Sequence, residues 1–103
     1  MTPIAKSSIR DLPLHDAVLK ELRIDWSACV CVAEVLAFVD GLKLPAQHRH
    51  LRFSKIEEVI VPHRAPWGGS EQINSATEKD GVFLIEMQSG DVIRITAESV
   101  HFS

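Results

Sequence analysis

The clearest order along this chain is an alternation of apolar and polar positions with a period of two. From Leu19, the residues Leu22, Ile24 and Trp26 fall on one side and Glu21, Arg23 and Asp25 on the other, the pattern of a strand with one face against a core. Ser27-Ala28 predicts a tight connection into Cys29–Val39, whose valines suit a strand buried on both faces. The Ala-Glu-Val-Leu-Ala stretch inside it is also compatible with a helix, so 28–39 stays open between the two. Asp40-Gly41 predicts a turn, and 43–50, with Pro45, a loop. Alternation returns at His50-Leu51-Arg52-Phe53, and Val59-Ile60-Val61 is another apolar run of strand length. Ile56-Glu57-Glu58 between them fits a helical turn or a bulge.

The last third repeats the pattern more sharply. Gln72–Ala76 predicts a strand, Lys79-Asp80-Gly81 a turn, and Val82–Gln88 a strand with Phe83, Ile85 and Met87 on one face. Ser89-Gly90-Asp91 predicts a hairpin loop into Val92–Thr96, and Ser99–Phe102 an edge pairing. Residues 1–13 read as an arm or cap, with Thr2-Pro3 able to open a helical turn and Leu12-Pro13 closing it. With 14–103 as one unit, the expected fold is mostly all-β: an antiparallel sandwich or small barrel of six to eight strands, with room for one short helix near the N-terminus or around Ile56.

Composition narrows the function classes. In 103 residues, 46% are hydrophobic and 24% charged, which excludes a disordered or low-complexity chain. Lys and Arg total 11 against 14 acids, a net charge of −3, which argues against nucleic acid or an anionic membrane as partner. No apolar run follows Lys6 and Arg10, so no secretory leader is expected, and Ala28–Val39 is shorter than a membrane span. A cytoplasmic location is the expectation. Cys29 and Cys31, in an apolar run, read as two buried thiols rather than a disulfide or half a zinc site.

Three groups of residues carry candidate chemistry. His48-x-His50 on a strand would place two imidazoles on one face. Together with Gly90-Asp91 and His101, eleven residues after the glycine, it is similar to the metal-binding motifs of cupins. The similarity expects a Pro and a Gly where Thr96 and Glu98 stand, a carboxylate where Ser54 and Lys55 stand, and further strands beyond His101. A cupin-like metal enzyme using His48, His50 and His101 is therefore the alternative, and solvent-facing histidines on a loop and an edge the plainer expectation. The second group is the Pro/Gly-framed loop Pro62–Ser70, where Trp67 offers a rigid contact surface flanked by His63 and Arg64, with Asn74 behind it. Trp67 either recognises a partner or plugs the end of the sandwich. In the third, His15-Asp16, adjacent side chains on a strand would point apart, so Asp16 is expected to tether a turn rather than form a dyad. No phosphate loop, nucleophile elbow or paired Cys-x-x-Cys is present, and no cofactor is expected.

Taken in order, Leu14-His15-Asp16-Ala17-Val18-Leu19, Ile24-Asp25-Trp26, Leu51-Arg52-Phe53, Pro66-Trp67-Gly68-Gly69-Ser70, Ile73-Asn74 and Glu86-Met87-Gln88-Ser89-Gly90-Asp91 resemble small bacterial domains of unknown function, and are similar to some β-rich immunity proteins of polymorphic toxin systems. The resemblance implies a mostly-β fold, a bacterial cytoplasmic setting and action by binding rather than catalysis. The expected function is accordingly non-catalytic binding to a protein partner or to a second copy of the chain, with Arg64, Trp67 and Asn74 as the residues to test and enzymatic activity as the minority reading.

Overall fold

The computed structural model describes residues 6–41 and 43–103; Thr2 and Pro3 lie outside them. Eight strands follow a 3-10 turn at Lys6–Asp11: β1 (Val18–Asp25), β2 (Val30–Ala37), β3 (Gln47–Ser54), β4 (Glu58–Ile60), β5 (Ile73–Lys79), β6 (Val82–Met87), β7 (Val92–Thr96) and β8 (Ser99–Phe102). They form two antiparallel sheets, in the orders β1-β2-β3-β8 and β4-β7-β6-β5. The sheets are joined at one corner by a bridge between Val18 and Gln72 but do not close into a barrel, so the fold is an all-β sandwich.

The core sits where the period-two pattern places it. Cys31, Ala33, Val35 and Ala37 of β2, with Leu51 and Phe53 of β3, face Phe83, Ile85, Ile93 and Ile95 of the second sheet. Phe53 and Phe83 meet edge to face, with ring centroids 5.2 Å apart. That geometry adds about 0.5–1.5 kcal/mol to the burial of the two rings. The 3-10 turn supplies Ile9, which is buried with Leu14 and Ala17 in the same core. At the β5–β6 hairpin, Asp80 and Gly81 both take positive φ, +53° and +81°. This is the two-residue geometry that matches strand twist.

Several expectations are corrected here. Within 28–39, Val30–Ala37 is a strand rather than a helix, and only one of its faces is fully buried; Val32, Glu34 and Leu36 form a half-buried outer face. Trp26 does not continue the core face of β1. The strand ends at Asp25, whose carboxylate accepts the Ala28 N–H at 3.0 Å to close the Trp26–Cys29 turn, and the indole is 85% exposed. In that turn Cys29 has φ +55° and is exposed, so only Cys31 is a buried thiol. The loop before β3 ends sooner than expected, because Gln47–Ser54 pairs in full register with Val30–Ala37 and puts His48 and His50 on a strand, His48 exposed beyond the stretch that β8 covers. Ile56 lies in an irregular link rather than a helix.

Candidate functional site

Three irregular segments converge at the end of the sandwich where β1 begins. The His15-Asp16 turn, the 61–72 loop and the β6–β7 hairpin are tied there by one set of hydrogen bonds. Asp16 has φ +65°, a conformation that an Asp tolerates better than most residues. Its N–H donates to the Ile73 carbonyl at 2.8 Å, and its carboxylate accepts from Gln88 Nε2 at 2.6 Å. The left-handed backbone also turns the side chain toward His15, whose Nε2 is 3.6 Å from Asp16 Oδ2. The two side chains do not diverge as a strand would require, because residues 15 and 16 form a turn. His15 Nδ1 donates to the Asn74 carbonyl at 2.8 Å. That carbonyl is available because a bulge in β5 skips Asn74: Ile73 pairs with Met87 and Ser75 with Glu86. Among the described residues no serine, threonine or cysteine is hydrogen-bonded to His15, so the arrangement joins three segments without presenting a nucleophile.

The Trp67 loop is built on Asp91. The Asp91 carboxylate, almost fully buried, accepts the Arg64 N–H at 2.8 Å, the Ala65 N–H at 2.9 Å and the Ser89 hydroxyl at 2.8 Å. The Arg64 N–H is the main cause that holds this carboxyl below its usual range. Burial pushes the other way, and the Ala65 N–H, the Ser89 hydroxyl and nearby His63 outweigh it. Trp67 N–H donates to the Ser89 carbonyl at 2.9 Å, and Gly68 N–H closes the turn on Ala65 at 3.0 Å. The indole rests on Gly90, where a Cβ would come within 2.7 Å of Trp67 Cδ2 and 2.8 Å of Pro66 Cγ. Trp67 is nevertheless 77% exposed. It is seated on the hairpin with its remaining surface in solvent and does not plug the sandwich.

Of the three residues singled out in sequence, Arg64 and Trp67 share this loop. Asn74 lines a separate cleft between the 3-10 turn and β5, with Ile9, Leu12 and His15. His48, His50 and His101 all belong to the outer face of the first sheet, His101 directly opposite the exposed Arg52. His48 Nδ1 is 3.7 Å from Glu34 Oε1, and His101 Nδ1 is enclosed without a hydrogen-bond partner. Among the described residues, no three His, Cys, Asp or Glu side chains come together as a metal-binding group. Sequence reasoning missed the Asp91 clamp, the Gln88–Asp16 tie and the exposure of Trp26. Only the first left a local signal, a Ser-Gly-Asp hairpin whose acid follows the glycine.

These features define an antiparallel β-sandwich with a hydrogen-bonded loop end that presents one aromatic side chain. No protein-family model and no curated protein matches the chain. Among solved structures, an uncharacterized protein from Neisseria gonorrhoeae is similar, with a TM-score of 0.55 and 15% sequence identity over 86% of this chain and 91% of that one. The likeness concerns the fold alone. Among the described residues no helix is long and apolar enough to cross a membrane.

Proposed function

We propose that this chain is a non-catalytic, cytoplasmic binding domain that engages a protein partner through the Trp67 loop. One observation carries the reading: Trp67 is 77% exposed while its own N–H is held by the Ser89 carbonyl and the backbone just before it by the Asp91 carboxylate. A large aromatic side chain on a fixed backbone loses little conformational entropy on binding, and such residues dominate interface energies. Arg64, whose N–H is bound to Asp91 while the residue itself is exposed, adds a charged contact beside it. The resemblance to β-rich immunity proteins supports a toxin as the kind of partner, and a toxin encoded beside this chain would be the first to test.

Affinity capture with the wild-type chain and with Trp67→Ala, followed by identification of the retained proteins, tests the reading. The expected result is a partner held by the wild type and lost from the variant, with binding weakened about 30-fold or more for an anchor residue worth roughly 2 kcal/mol and the thermal midpoint little changed. Equal capture by both chains would overturn the proposal, and so would loss of cooperative unfolding in Trp67→Ala.

A further inference from the structure

A second exposed tryptophan lies at the other end of β1. Trp26, 85% exposed, and Ile24, 43% exposed, form one wall of a groove of about 310 Å³, and Ile56, Glu57, Glu58 and Val59 form the other. The floor is closed by the Ile56 N–H donating to the Cys29 carbonyl at 2.9 Å. The groove runs between two edge strands. Each of β1 and β4 is the outermost strand of its sheet, so on this side the backbone of Glu58–Ile60 faces no strand among the described residues. Exposed strand edges with apolar neighbours are surfaces on which an added strand pairs. Ile60 and Val61, 44% and 50% exposed, continue the apolar surface past the groove.

Charge selects the occupant. Glu57 and Glu58 make no ion pair among the described residues, unlike Glu21, Glu34 and Glu98, which meet Arg23, His48 or Lys55. A second copy docked symmetrically would bring four carboxylates to one seam, and an acidic segment would add to that repulsion. A lysine or arginine side chain, by contrast, finds both carboxylates and an indole face on which a cation is stabilised. We infer that the Trp26 groove binds an extended, basic segment of a partner protein, which adds a strand to the free edge of β4 and places its cationic side chains between Trp26 and Glu57-Glu58. This surface is separate from the Trp67 loop, with roughly 23 Å of strand between the two ends of β1.

A synthetic nonapeptide of alternating lysine and valine, and its counterpart of alternating glutamate and valine, can be titrated into the 15N-labelled chain. The lysine peptide is expected to shift the Trp26 indole and the amides of Glu57–Ile60 saturably, and to bind at least tenfold more tightly than the glutamate peptide. Added salt should weaken it. Trp26→Ala should weaken binding at least tenfold, the charge swap Glu57→Lys with Glu58→Lys should reverse the preference, and Trp67→Ala should leave it unchanged. If the double variant does not unfold cooperatively, Glu57→Gln and Glu58→Gln serve singly, each with a smaller loss. The inference is overturned if neither peptide moves these resonances, if both move them alike, or if the same resonances shift with the chain's own concentration, which would make a second copy the occupant.

Discussion

Gly90→Ala tests how the exposed Trp67 is held. Gly90 has φ +91°, a region that residues with a Cβ rarely occupy, so alanine costs about 1–3 kcal/mol in the backbone alone. The new Cβ would stand 2.7 Å from Trp67 Cδ2 and 2.8 Å from Pro66 Cγ, whereas carbon atoms rest at about 3.5–4.0 Å. The indole must therefore move outward by roughly 1 Å, and the turn from Ala65 to Gly68 must move with it. Gly68→Ala is the control. Its φ is +106°, but no atom lies within 4 Å of the added Cβ, so it carries the backbone cost without the contact. Both variants should lower the thermal midpoint, by about 4–8 °C per kcal/mol in a domain of this size. Only Gly90→Ala should also shift the Trp67 indole resonance and the amides of Arg64 and Ala65 that donate to Asp91. Equal midpoints together with an unmoved Trp67 resonance in Gly90→Ala would refute the idea that the hairpin glycine seats the ring.

Other predictions concern the acid, the thiols and the core. Because the folded Asp91 carboxyl sits below its ordinary value, its contribution is complete above about pH 4, the usual unfolded value, and is lost as pH falls through the folded one. The gap in thermal midpoint between wild type and Asp91→Asn should thus shrink from pH 5 to pH 2; a constant gap would contradict the clamp. Burial pushes the Cys31 thiol up while Cys29 is exposed, so a thiol reagent at neutral pH should label one cysteine in the native chain and two in denaturant. Comparable native labelling of both would contradict the burial of Cys31. Phe53→Ala removes one ring of the edge-to-face pair that joins the sheets and should cost about 3–5 kcal/mol in denaturant unfolding; a loss below about 1 kcal/mol would count against Phe53 as a core residue.

The strands were legible wherever one face is buried, because burial imprints a period of two. Leu51 and Phe53, Phe83, Ile85 and Met87, and Ile93 and Ile95 face the core where the alternation placed them. The turns at Lys79-Asp80-Gly81 and Ser89-Gly90-Asp91 were legible because Asp80, Gly81 and Gly90 take positive φ, which favours those residue types. The same rule failed at Trp26, where the alternation runs past the end of β1 into a turn that no longer points its side chain at the core. It also missed the start of β3. There His48 and Arg49 are polar on both sides of the strand, and β2 supplies the pairing that their own side chains do not signal.

The candidate site was less legible than the fold because its decisive contacts are long in sequence. Gln88 reaches Asp16 across 72 residues and Asp91 reaches Arg64 across 27; no local pattern encodes either. Sequence by itself determined an antiparallel all-β fold, sandwich or small barrel, with an aromatic residue in a Pro/Gly loop, because alternation and turn chemistry are local constraints on the backbone. Tertiary structure alone decided that Trp67 is held in solvent rather than buried, that His15 and Asp16 meet, and that Trp26 overlooks an acidic groove between two strand edges. Each of these depends on which distant backbone groups and charges the packed sheets bring within a few ångströms of one another.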